Sequence, residues 1–104
     1  MKYNLETRYD HCKSFYGKAV VYILEQNADR YIEELKSYET RVARVEYYYS
    51  NGETEKIRYL FYGNYSRTTK RHQVEFFKQH GLNIEEINKL VKEGVLEKWK
   101  LNLK

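Results

Sequence analysis

Thr40-Arg-Val-Ala-Arg-Val-Glu-Tyr-Tyr-Tyr-Ser50-Asn-Gly-Glu-Thr-Glu-Lys-Ile-Arg-Tyr-Leu-Phe61 is the stretch on which the fold turns. Two runs rich in β-branched and aromatic residues flank Asn51-Gly52, the strongest short-range turn signal in the chain. A two-residue loop there sets Val45 opposite Arg58 and Glu46 opposite Ile57. A loop of odd length instead places Ala43, Val45 and Tyr47 on one face with Ile57, Tyr59 and Phe61. Because a one-residue slip turns every side chain over, the apolar set decides. The expectation is a three-residue loop, with Gly52 left-handed as part of a bulge. The reverse face then shows Arg44, Glu46, Tyr48, Arg58 and Tyr62, an amphiphilic surface open to solvent.

Upstream, Lys18 to Glu25 is a short β-branched run that reads as a buried strand. Asn27 to Arg30 supplies turn chemistry. Arg30 to Ser37 fits a strand or a short helix, and the strand is preferred. The first 16 residues carry scattered aromatics without a period. Downstream of Gly63 the period changes. Ser66 is a good N-cap, Arg67 to His80 follows without a breaker, and Gly81 is a natural C-cap. Asn83 caps a second helix, with Glu86 where a capping box wants an acid. Its stripe is Ile84, Ile87, Leu90 and Val91, and Gly94 ends it. Trp99, Leu101 and Leu103 alternate, which allows a last strand. The expected fold is α+β: an antiparallel sheet of about four strands with two helices packed on one face.

The 104 residues suit a single domain, 1–104, with no linker composition or internal repeat to divide them. A third of the chain is charged and 41% is apolar, the balance of a folded soluble domain. The formal net charge of +4 leans toward an acidic or phosphate-bearing partner. One cysteine, Cys12, excludes an intramolecular disulfide, and no apolar run reads as a signal or membrane span. A cytoplasmic location is expected. Proline is absent and there are 12 tyrosines, which serve strand faces and interfaces alike.

The most informative segment is Ser66 to Gly81. Val74, Phe76 and Phe77 share one helical arc with Thr69 and Gln73, while Arg67, Arg71 and Lys78 share the opposite one. Arg67, Lys70 and Arg71 crowd the first turn and a half with no acid, against the helix dipole. Residues that break a local rule are often functional. Free N–H groups and three cations would hold a phosphate or a carboxylate cluster. These residues, with Lys78 and the surface tyrosines Tyr48 and Tyr62, are the expected partner-binding set. The stretch 25–39 is acidic and is a second candidate surface, one that would mimic the charge of DNA.

Nothing in the chain matches a nucleophile elbow, a phosphate-cradling glycine loop or a paired-histidine motif. No catalytic residue is assigned and the expectation is that the protein is not an enzyme. His11, Cys12, His72 and His80 are the borderline metal ligands. Their spacing departs from zinc patterns: His11 and Cys12 are adjacent, and His72 and His80 lie roughly 12 Å apart along a helix. No cofactor is expected. His80, within the apolar arc, reads as a hydrogen-bonded core residue.

Ser14-Phe-Tyr-Gly-Lys-Ala19, Ser37-Tyr-Glu-Thr-Arg-Val-Ala43 and Tyr65-Ser-Arg-Thr-Thr-Lys-Arg-His72 with Glu75-Phe76 resemble a family of small proteins from phages and plasmids of low-GC Gram-positive bacteria. The Ser-x-Thr-Thr-x-Arg-His-x-x-Glu-Phe core carries the resemblance. The resemblance implies a context and no chemistry. Chains of this size and context include anti-CRISPR inhibitors, which bind an effector nuclease. The functional expectation is thus a non-enzymatic mobile-element accessory protein that binds a nucleic-acid-handling protein of the host. The alternative is a direct DNA- or RNA-binding regulator of winged-helix type, since helix, Gly81 turn, helix and Gly94-Val-Leu resemble the end of that fold. A small metal-dependent hydrolase is the third class.

Overall fold

The computed structural model describes residues 1–100. Leu101 and Leu103 of the expected last strand lie outside the described residues. The elements are β1 (Lys2–Asn4), β2 (Ala19–Gln26), β3 (Arg30–Ser37), β4 (Thr40–Ser50), β5 (Glu53–Phe61), α1 (Arg67–Gln79), α2 (Ile84–Glu93) and β6 (Val95–Trp99). The strands form one antiparallel sheet in chain order, with helices on one face. The α+β class is as expected, but the sheet has six strands where about four were expected. The added amino-terminal strand is the three exposed residues of β1. They have no apolar period to read, and exist as a strand by pairing Lys2–Asn4 against Tyr22–Val20 of β2.

The β4–β5 register is the one the apolar pattern demands: Ala43 faces Phe61, Val45 faces Tyr59 and Tyr47 faces Ile57. The means differ from expectation. Ser50 pairs Glu53 and Tyr49 pairs Thr54, so the loop is only Asn51-Gly52, not three residues. The odd residue is Glu55, inserted as a bulge between the Thr54 and Lys56 pairings. Asn51 (φ 55°) and Gly52 (φ 79°) are both left-handed, as a tight hairpin turn requires. Gly52→Val is expected to cost about 1 kcal/mol or more, because a β-branched residue resists positive φ. A Cβ there meets nothing within 4 Å, so the cost is purely backbone. Denaturant unfolding checks it, and an unchanged midpoint would contradict this turn.

Both helices carry the N-caps their sequences predict, but α1 ends at Gln79 with His80 as its C-cap, one residue before the expected Gly81. Ser66 Oγ accepts from the Thr69 N–H at 3.1 Å. Asn83 and Glu86 exchange side-chain and backbone bonds of 2.8 and 3.0 Å, a complete capping box. Gly94 closes α2 at φ 84°. The core lies between helices and sheet, where Phe76, Phe77, Ile87 and Leu90 meet Val21, Leu35, Val45 and Tyr59. Each such side chain contributes roughly 1.5–3 kcal/mol of burial. Among the described residues, no helix lies on the other sheet face.

Candidate partner-binding site

A second bulge begins the site. Between the Leu35–Ala43 and Lys36–Arg41 pairings, Val42 is the extra residue of β4. Gln73 of α1 bonds its carbonyl through Nε2 at 2.9 Å, and reaches the Gly63 carbonyl at 3.1 Å. Gly63 has φ 120°, which glycine alone adopts easily. Gln73 thereby fixes the loop that leads into α1. The loop and the first two turns of α1 enclose a cleft of about 430 Å³, bordered by Asn64, Tyr65, Arg67, Lys70 and Arg71. Tyr65 is 54% exposed at the edge of this cleft.

The three cations of the helix start do come together here, in different roles. Arg71 is committed to Asp10: its Nε donates to Oδ2 at 3.0 Å and a second N–H donates to Oδ1. The arginine bonds hold the Asp10 carboxyl well below the usual carboxylate range. Arg71 therefore positions the amino-terminal loop. Arg67 and Lys70 form no ion pair with an acid among the described residues, and Lys70 Nζ lies 5.8 Å from the Phe61 ring centre. Lys78 sits further along α1, at a small crevice beside Tyr9 and Glu75 and outside the cleft. Tyr48 and Tyr62 are on the helix-free side of the sheet, where their hydroxyls donate to Glu46 (2.7 Å) and Glu34 (3.5 Å). The expected set thus divides between two surfaces.

Glu75, the one acid of α1, is buried. Its Oε1 accepts from the backbone N–H groups of Tyr9 (2.9 Å) and Asp10 (2.8 Å), and Oε2 accepts from Gln79 at 2.7 Å. These bonds lay the loop 5–18 along α1 and bring Asp10 to Arg71.

A cluster that sequence reasoning missed lies at the other end of α1. Glu33, 3% exposed, points to the helix side of β3. Its Oε1 pairs with His80 Nε2 at 2.8 Å, while Oε2 accepts from the hydroxyls of Tyr3 (2.9 Å) and Tyr31. His80 Nδ1 meets the Tyr47 hydroxyl at 2.8 Å. These groups line an open pocket of about 460 Å³. Burial raises the Glu33 carboxyl, but the bonds from His80 and Tyr31 outweigh it and hold the group below its ordinary value. Burial and Glu33 push the tyrosines up, Tyr47 to about 12, so the phenols remain donors at neutral pH. The cluster ties β1, β3 and β4 to the end of α1. Sequence identified His80 as hydrogen-bonded, but its partner is 47 positions away.

A family model matches residues 3–93. The chain belongs to DUF8033, a family of unknown function. No curated protein and no solved structure matches it. The span shared with the family takes in the cleft and the Glu33 cluster, together with every element except β6 and the first residue of β1.

The remaining candidates of this DUF8033 chain are dispersed. His72 is buried: its Nδ1 bonds Ser37 Oγ at 2.8 Å and its ring meets Phe15 at 4.4 Å between centres. Burial, aided by Arg71, lowers its pKa. His11 and Cys12 are in the amino-terminal loop, and the Cys12 thiol is pushed up by desolvation and Asp10, away from a reactive thiolate. Among the described residues, no three His, Cys, Asp or Glu side chains group so as to hold a metal ion.

The acidic stretch is not one surface, contrary to expectation. Neighbouring residues of a strand point to opposite faces, so Glu33 turns inward and Glu34 to the helix-free side. Glu34 is itself buried, 3.6 Å from Arg44 and 3.8 Å from Arg41, and Glu25 pairs with Arg30.

Proposed function

We propose that this protein is a non-catalytic accessory protein of mobile genetic elements. It acts in the cytoplasm of a bacterial host by binding a nucleic-acid-handling protein, an anti-CRISPR inhibitor of an effector nuclease being the specific case. The observation that supports a binding role is the α1 cleft. Arg67 and Lys70, two cations without an acid partner among the described residues, stand beside exposed Tyr65 at a helix N-terminus that lacks any acid in its first turn. Such a cleft suits a carboxylate-bearing segment of a protein, with the tyrosine as the ring that anchors the contact. Arg71 keeps the cleft in shape through Asp10. Among the described residues, no helix is long and apolar enough to cross a membrane.

The test is Arg67→Glu with Lys70→Glu. Acids at a helix start complement its dipole, so stability should hold or rise by a few tenths of a kcal/mol per site. Pull-down from a nuclease-treated host extract should capture a partner with the natural chain and lose it with the double variant. Capture that is equal for both chains removes the cleft from the site. Capture that vanishes on nuclease treatment replaces the protein partner with nucleic acid.

A further inference from the structure

The helix-free face of the sheet is built in rows that run across the strands. Arg30, Tyr48, Lys56 and Trp99 are register neighbours from β3 to β6 and form one row. Cation and ring alternate along its members, and none is an acid. Lys56 Nζ lies 4.9 Å from the Tyr48 ring centre and 4.8 Å from that of Trp99. Toward the other end of the strands the motif recurs. Lys36 Nζ is 4.7 Å from the Tyr22 ring, and the Arg41 guanidinium is 5.9 Å from the Tyr62 ring.

Between these two tracks the acids form a floor. Glu34 and Glu46 are 3% and 4% exposed, and arginines lie against them: Arg44 is 2.7 Å from Glu46, and Arg58 is 3.6 Å from it. Glu97, nearer solvent, is 3.6 Å from Arg58 and 3.8 Å from Lys56, and Glu25 at the edge pairs with Arg30. With Glu34 and Glu46 buried beneath arginines and Glu97 shared between Arg58 and Lys56, the cations of the face outnumber its acids, which favours an anionic ligand. Its rings remain available, Trp99 being 49% and Tyr62 37% exposed.

We infer that this face holds single-stranded nucleic acid. Lys36, Arg41 and Lys56 take the phosphates while bases stack on Trp99 and Tyr62, the combination that binds single strands without sequence preference. The polar groups are already turned inward: the Tyr48 and Tyr62 hydroxyls and Arg44 Nε all serve Glu46 or Glu34. Little is left to read base edges or a sugar 2′-hydroxyl, so binding is tolerant of sequence and of sugar. A duplex keeps its bases stacked inside and cannot use the rings. This surface is separate from the α1 cleft, and the inference stands without the protein-partner reading.

Trp99 is the only tryptophan of the chain, which makes it a reporter placed on the site. A short labelled oligothymidylate should bind with a rise in anisotropy and a change in Trp99 fluorescence. Affinity should fall at least about tenfold between roughly 50 and 200 mM salt. Lys56→Glu should weaken binding about tenfold or more, while Lys89→Glu, the same charge change on exposed α2, leaves it within a few-fold. Tyr62→Ala, on the second track, repeats the test should Lys56→Glu not fold, with a thermal melt as the check. The matching oligouridylate should bind within a few-fold and the duplex far more weakly. No binding at low salt, or a duplex bound as well as the single strand, would overturn the inference. Equal loss from Lys89→Glu and Lys56→Glu would do so too.

Discussion

Glu33→Ala is expected to destabilise the protein by about 3–5 kcal/mol, the range for removing one partner of a buried charged network. The substitution leaves the Tyr3 and Tyr31 hydroxyls and His80 Nε2 without their acceptor, at the point where three strands meet the end of α1. Glu33→Gln keeps the shape and one acceptor oxygen, and should cost less, about 1–3 kcal/mol. The pH dependence has a definite sign. The folded carboxyl titrates below its ordinary 4.5, so its contribution is present above that value and is lost as pH falls through the lowered one. Denaturant unfolding at neutral and acid pH measures both effects. The variants should lose less stability than the natural chain as pH drops below about 4.5. Equal stability at neutral pH would mean that the cluster holds nothing together.

Glu75→Ala should cost about 2–4 kcal/mol, because it orphans two backbone N–H groups and a side-chain amide at once. The effect reaches the cleft. Without Glu75 the backbone at Tyr9 and Asp10 loses its anchor, and Arg71 then loses the acid that it clamps. Hydrogen exchange at Tyr9 and Asp10 is the specific readout: protection should vanish there while the amides of β3 and β4 keep theirs. Retained protection would assign the loop's position to Leu5 and Phe15 in the core.

What was legible in the sequence was whatever depends on near neighbours. The caps at Ser66 and Asn83, the stop at Gly94, and the alternation through β3 to β5 are local and were read in place. The β4–β5 register was also legible, because burying Val45 and Tyr59 on one face leaves a single solution. The loop was not, since a two-residue turn with a bulge at Glu55 and a three-residue loop give the same facing pairs. β1 was invisible because backbone pairing alone makes it a strand.

The site was half legible. The absence of an acid at the start of α1 led to Arg67, Lys70 and Arg71, which do border one cleft. That Arg71 belongs to Asp10 was hidden, because their contact spans 61 positions. Glu33 was read as part of an acidic surface for the same reason. A buried carboxylate is recognisable only by the donors brought to it, and those come from β1, from the amino-terminal loop and from His80 just past α1.

The central claim is that the α1 cleft meets a protein partner. A photo-crosslinking amino acid in place of Tyr65 at the cleft edge tests it most directly, with the same group in place of Ile84 as control. Both side chains are about half exposed, 54% and 51%, and α1, roughly 20 Å long, separates the two positions along the helix side. Irradiation in host cells should yield a protein adduct from position 65 and none from position 84. Adducts from position 84 alone, or none from position 65 in cells where the protein is active, would contradict the account.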